Sequence, residues 1–225
     1  MNNVKAIFIK QLNDLPKNVT VLSLFILYPI MAVVLGYVMG AADIQAGMFA
    51  SMLVGSVPMI AIANNVAEDN EYKGLRFLVM AGVKPWQYLF GLFISVFIFS
   101  VVSLLALALI GGFSGDVLLR FAIVSVLGLI ASAILGGSVG IFSKNVQQAT
   151  GIYTPLMMLL MLTPLLAGFN EAIERVAEYL YPYQVLMIIL NPDANFSRAL
   201  IVIACNAVVL LAFFAIAYKK KGLKG

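Results

Sequence analysis

The ionisable side chains that could recognise another molecule are concentrated in one stretch, residues 68–85, EDNEYKGLRFLVMAGVKP. Its charged residues are Glu68, Asp69, Glu71, Lys73, Arg76 and Lys84. Charges of both signs are costly in lipid, so we expect the stretch to lie at a membrane surface. The chemistry that it offers is docking, in which the charges pair with a soluble partner. The alternative is a solvated loop held by ion pairs among its own residues.

Catalytic chemistry is poorly represented in this chain. Histidine is absent, which removes the commonest general base and transition-metal ligand. Neither the zinc pattern H-E-x-x-H nor the phosphate loop G-x-x-x-x-G-K-[ST] occurs. A single cysteine, Cys205, lies inside an apolar run. We therefore predict no enzyme activity, no metal site and no cofactor in this chain.

Composition identifies the environment. Of the 225 residues, 63% are hydrophobic and 11% are charged, and the mean hydropathy is +1.04. Soluble domains carry about 25% charged residues. The sequence therefore predicts an all-α integral membrane protein with the lipid bilayer as one partner, and the net charge of +4 needs no nucleic acid to explain it.

Hydropathy divides the chain into six spans within one membrane domain, 1–225. An amphipathic interfacial helix at 1–18, which includes Phe8 and Lys10, precedes them. Leu75, Leu78 and Val79 have helical spacing and predict a surface helix between the second and third spans. The predicted spans are about 19–42, 44–67, 86–115, 121–142, 149–169 and 199–218.

Small residues mark two candidate packing faces. Gly36 and Gly40 form one G-x-x-x-G pair, and Ser132, Gly136 and Gly140 form a stripe with four-residue spacing. Such faces let helices approach closely. Contact between two copies and packing within one bundle both fit these patterns.

The segment 170–198 differs from the spans. Residues 171–180 predict a short amphipathic helix, and the apolar patch 185–190 is far too short to cross a bilayer. We expect this segment to dip partway into the membrane or to pack on the outer ends of other helices.

The distribution of basic residues predicts topology. With the N-terminus inside, 11 of the 14 Lys and Arg residues lie on the inner side. We therefore expect a multi-pass plasma-membrane protein with both termini in the cytoplasm, residues 68–85 on the cytoplasmic side and the segment 170–198 on the outer side.

The order of these elements resembles the permease subunit of type-2 ABC exporters. The residues that carry the resemblance lie around residues 68–91 and before the last span: Glu68, Glu71, Gly74, Leu78, Gly82, Trp86, Tyr88 and Gly91, and then Tyr181, Pro182 and Tyr183. No ionisable residue lies in the middle of a span, which argues against an ion-coupled transporter.

The resemblance implies a soluble ATPase partner, which binds ATP and magnesium, and a second permease copy that makes a homodimer or a heterodimer. The implied ATPase contacts are Glu68, Asp69, Glu71, Lys73, Gly74, Arg76, Phe8 and Lys10. The implied outer gate consists of Pro164, Glu171, Glu174, Tyr181 and Pro182. An amphipathic or lipophilic substrate, such as a peptide toxin or a drug, fits a small exporter of the kind found in Gram-positive bacteria. The alternatives are an energy-independent channel, a lipid-modifying enzyme and a membrane scaffold or immunity protein.

Overall fold

The computed structural model describes residues 2–17, 19–74, 80, 82–83, 85–191 and 196–221. Within these ranges the regular elements are helices, and six of them are long and apolar enough to cross a membrane, which confirms the predicted fold class. Arg76 and the predicted surface helix at Leu75, Leu78 and Val79 lie outside the described residues. The helices are α1 (Asn2–Asp14), α2 (Val19–Met39), α3 (Ala42–Glu71), α4 (Pro85–Ile110), α5 (Gly115–Phe142), α6 (Val146–Ala167), α7 (Glu171–Ala177), α8 (Tyr181–Leu190) and α9 (Phe196–Lys221), with a 3₁₀ turn at Leu15–Lys17 after α1.

Helix α3 is the centre of the bundle, and α9 lies at its periphery. In the most apolar stretch of α3, 94% of the residues are buried, against 11% for α9. Helices α2, α4, α5, α6 and α8 all pack on α3. The remaining helices are therefore arranged around α3 as a common axis.

Glycines on α5 allow it to lie directly against α3. A Cβ on Gly136 would lie 2.5 Å from the Met59 carbonyl oxygen, and one on Gly140 would lie 2.5 Å from the Val66 Cβ. Both distances are shorter than any real side chain tolerates, so the two backbones touch here. In this chain the small-residue stripe is used for packing within the bundle.

The other glycine pair is placed differently. Gly40 ends α2 in the left-handed region, with φ of +68°, and nothing lies within 4 Å of where its Cβ would be. A Cβ on Gly36 would lie 3.1 Å from the Cα of Ala42, the first residue of α3. Together these glycines make the tight reversal between α2 and α3, since only glycine adopts this backbone freely.

Helix α1 packs on the beginning of α4. Ile7 is buried, and a Cβ on Gly91 would lie 2.8 Å from its Cγ2. The Ser95 hydroxyl donates to the carbonyl oxygen of Phe8 at 3.3 Å. The apolar face of the amphipathic sequence is therefore covered by α4, and its charged face is left outside.

Several helix ends differ from the predicted spans, and α5 begins at Gly115 rather than near Phe121. Helix α3 continues one turn past Ala67 to Glu71, and α4 ends at Ile110 rather than near Gly115. Gly112, with φ of +66°, breaks the long apolar run after α4, so no single helix has to hold it. Because α3 extends to Glu71, the first charged residues of the stretch 68–85 are part of this helix.

Candidate functional site

The last turn of α3 joins several helices through polar side chains. Asp69 accepts a hydrogen bond from the Tyr88 hydroxyl of α4, and Lys10 Nζ of α1 lies 3.7 Å from Asp69 Oδ1. Tyr88 is buried, and the Asp69 side chain is 16% exposed, whereas that of Lys10 is 61% exposed. The carboxylate therefore has a buried partner on one side and a solvated partner on the other.

Asn70 closes the end of α5. Its Nδ2 donates to the carbonyl oxygens of Gly140 and Ser143, both at 3.1 Å. The last carbonyl groups of a helix have no partner within the helix, so these bonds satisfy acceptors that would otherwise need water. An amide side chain on α3 thus acts as a cap for its neighbour.

Glu71, the last residue of α3, contacts the N-terminus of α6. One of its carboxylate oxygens accepts from the Val146 backbone N–H at 3.3 Å, and the Asn145 side chain accepts from the Gln148 N–H at 2.8 Å. Free N–H groups and the helix dipole make a helix N-terminus favourable for a carboxylate. Asp69, Asn70 and Glu71 thus connect α3 to α1, α4, α5 and α6, and we call these three residues the polar node.

The predicted ATPase contacts therefore divide into two groups. Asp69 and Glu71 bind other parts of this chain, whereas Glu68 and Lys73 are exposed beside them. Lys73, two residues after the end of α3, has a φ of 58°, in the left-handed region that few residues other than glycine adopt. A Cβ on the next residue, Gly74, would lie 3.2 Å from an Asp69 oxygen. Glu68 and Lys73 thus adjoin the polar node, in which Glu71 is itself exposed and the Asp69 side chain is 16% exposed.

The predicted outer gate lies toward the opposite end of α3. Tyr181 and Pro182 are buried, and Ser51 donates to the Pro182 carbonyl oxygen at 2.6 Å. The Tyr181 hydroxyl donates to the Gly55 carbonyl oxygen at 3.3 Å, and a Cβ on Gly55 would lie 3.0 Å from the Pro182 Cγ. Tyr181 and Pro182 therefore fix α8 to α3, and we call this contact the α8 seat.

The other three predicted gate residues are not part of that seat. Pro164 is buried in α6, whereas Glu171 is 91% exposed and lies 4.0 Å from Arg175. Glu174 accepts from the Tyr183 hydroxyl at 3.5 Å. Burial, together with the charges of Glu174 and Glu178, raises the pKa of Tyr183, which keeps its hydroxyl a donor.

Some connecting residues were not expected from the sequence. Arg198 at the start of α9 pairs with Glu178 at 2.7 Å, and Asn70 makes the two bonds described above. Asn206 of α9 donates to the Tyr179 carbonyl oxygen at 2.8 Å. The sequence feature that could have indicated the role of Asn70 is its position between two acidic residues at the end of an apolar helix.

A bundle of six candidate spans with polar cross-links at one end is the architecture of a multi-pass membrane protein. In the described ranges, His, Cys, Asp and Glu form no group of three that could hold a metal ion. The family of ABC-2 family transporter proteins matches residues 2–219, and the chain belongs to this family, as its resemblance indicated. It is a component of a membrane transporter, of a family that generally works with an ATPase subunit. No curated protein matches the chain in sequence.

Proposed function

We propose that this chain is the membrane subunit of an ABC exporter, and that a separate ATPase subunit docks beside the polar node. One observation carries the proposal: α1, the end of α3 and the α5–α6 connection meet at the polar node, with exposed charges around it. Glu68, Lys73 and Lys10 offer both signs of charge to a soluble partner. Complementary charges of this kind favour association and fix its orientation.

The same end is the cytoplasmic end in this proposal. Lys5, Lys10, Lys17, Lys73 and Lys144 belong to it, whereas Arg120, Arg175 and Arg198 belong to the other side. The positive-inside rule then places both termini in the cytoplasm, where ATP is available. ATP and magnesium would be held by the partner, and this chain would supply no catalytic residue.

The proposed substrate is amphipathic or lipophilic, such as a peptide toxin or a drug. The candidate spans have mean hydropathies between 1.5 and 2.8, so a path between them favours apolar molecules. Two permease copies, identical or related, would form that path between them. The export direction follows from the kind of transporter proposed.

Co-purification with the ATPase encoded nearest to this gene tests the proposal. We expect the two subunits in near-equal amounts in mild detergent. Reversing both exposed charges, Glu68→Arg with Lys73→Glu, should reduce the bound ATPase about tenfold, which corresponds to about 1.4 kcal/mol.

The matched control reverses two exposed charges on the other side, Glu171→Arg with Arg175→Glu, and should leave ATPase binding unchanged. A permease that purifies alone beside a soluble, expressed ATPase would contradict the proposal. Ion conductance of the purified protein in liposomes without nucleotide would instead indicate a channel.

A further inference from the structure

The two contacts of Asp69 differ in character. The Tyr88 hydroxyl is buried with its ring, so this hydrogen bond joins α3 and α4 in a place that water does not readily reach. The Lys10 ammonium is 61% exposed and 3.7 Å away, so it exchanges easily between Asp69 and water. The link from α3 to α4 is therefore durable, whereas the link from α3 to α1 is easily opened.

A second feature, the buried side chain of Gln11, makes the packed position of α1 less favourable. Gln11 is buried, and within the described part of the chain its Oε1 has no hydrogen-bond partner. A buried acceptor without a partner is costly, and that cost is removed when the side chain reaches water. The seat of α1 therefore combines a weak ion pair with an unsatisfied group on adjacent residues, Lys10 and Gln11.

From these contacts we propose that Asp69 is a positioning residue that holds α1 on the bundle through Lys10, and that this pair opens when the partner ATPase binds nucleotide. The inference rests on the proposed function, because it assigns to that ATPase the force that opens the pair. Asn70 and Glu71 adjoin Asp69 on the same turn and hold α5 and α6. Release of α1 therefore removes one contact from a turn of α3 that also holds α4, α5 and α6.

Two substitutions separate the contacts of Asp69. Asp69→Asn keeps an oxygen that accepts from Tyr88 but removes the charge that attracts Lys10. Tyr88→Phe keeps the buried ring and the carboxylate but removes the donated hydrogen bond. We expect Asp69→Asn to weaken the hold on α1, and Tyr88→Phe to lower thermal stability while the nucleotide response remains.

Disulfide cross-linking between α1 and α4 measures whether α1 is seated. Ile7→Cys with Gly91→Cys places two thiols at a contact where the two Cβ positions are 3.0 Å apart, in a Cys205→Ser background. The complex with its ATPase is oxidised with copper phenanthroline, without nucleotide or with magnesium and a non-hydrolysable ATP analogue. We expect nucleotide to slow cross-linking about threefold, an effect within the range of an exposed ion pair.

Lys10→Met and Asp69→Asn should each slow cross-linking without nucleotide about threefold, and the double variant should be no slower than either one. Lys17→Met is the matched control, since Lys17 pairs only with Asp14 of α1 at 3.3 Å among the described residues. It should leave both rates unchanged.

The outcomes separate this inference from the proposed function. If no ATPase binds, the proposed function is wrong and the inference fails with it. If a complex forms and hydrolyses ATP, but cross-linking ignores nucleotide or responds additively to Lys10→Met and Asp69→Asn, the inference alone is wrong.

Discussion

The two ends of α3 hold their neighbours by different means. At the polar node, three consecutive side chains reach α1, α4, α5 and α6 through hydrogen bonds and an ion pair. At the α8 seat, Tyr181 and Pro182 fill space over Gly55, and Gly128 of α5 admits Val54 at 2.6 Å from its would-be Cβ. The polar node is connected by hydrogen bonds and an ion pair, whereas the α8 seat is held mainly by close packing of complementary surfaces.

The difference determines which end can rearrange. A hydrogen bond at a membrane surface can be exchanged for one to water at a small net cost. A large side chain that leaves a close-packed site creates a cavity, which costs much more. The polar node is therefore suited to change with a bound partner, whereas the α8 seat is suited to stay fixed.

The largest effect should come from the axis that both ends share. Gly136→Leu places a side chain against the Met59 backbone, which has no room to yield, so we expect a loss of about 3 kcal/mol or more. Thermal denaturation in detergent, followed by size-exclusion chromatography, measures it. Gly151→Leu is the control, since nothing lies within 4 Å of its would-be Cβ. Equal stability of the two variants would contradict close contact between α3 and α5.

The next effect concerns the α8 seat. Tyr181→Ala removes a ring that is 1% exposed, and we expect it to cost about 3 kcal/mol. Tyr181→Phe keeps the ring and removes the hydroxyl that donates to the Gly55 carbonyl, so it should cost about 1 kcal/mol. Thermal melts of both variants check this ratio. Similar losses in the two would mean that this end, too, depends on hydrogen bonding.

The smallest effect should come from the polar node. Asn70→Ala removes both bonds to the end of α5 and should cost about 1–2 kcal/mol. Glu71→Gln should cost about 0.5 kcal/mol, less at high salt, because only the charge at the start of α6 is lost. Hydrogen exchange at residues 143–146 should quicken in Asn70→Ala and hardly change in Glu71→Gln. A larger loss for Asn70→Ala than for Tyr181→Ala would reverse the comparison.

Sequence reasoning recovered the parts of this fold that follow from hydropathy. The six spans follow from the lengths of the apolar runs, because a bilayer requires about 20 residues for each crossing. The contact through Gly136 and Gly140 follows from their spacing, since only small residues let two backbones touch. Both properties are local in sequence.

The polar node could not be predicted in the same way. Hydropathy does not fix how each helix is rotated about its axis, so it cannot pair Asn70 with Ser143 or Glu71 with Val146. The resemblance implied ATPase contacts at Asp69 and Glu71, and their internal partners lie too far away in sequence to be found from local patterns. Gly40 was grouped with Gly36 as a packing face, whereas its backbone serves the reversal into α3.

The central position of α3 also has a consequence for synthesis in the cell. Among the described helices that pack along α3, α2 precedes it in the chain, whereas α4, α5, α6 and α8 leave the ribosome later. The span that is most buried in the finished protein therefore enters the membrane with most of its surface still facing lipid. Its mean hydropathy of 1.8, against 2.8 for α9, makes it the less readily inserted of the two. α3 therefore reaches its final environment only after the later helices have been inserted. In a nascent chain halted before α5, Asn70 and Glu71 would lack the partners that they bind in the finished protein.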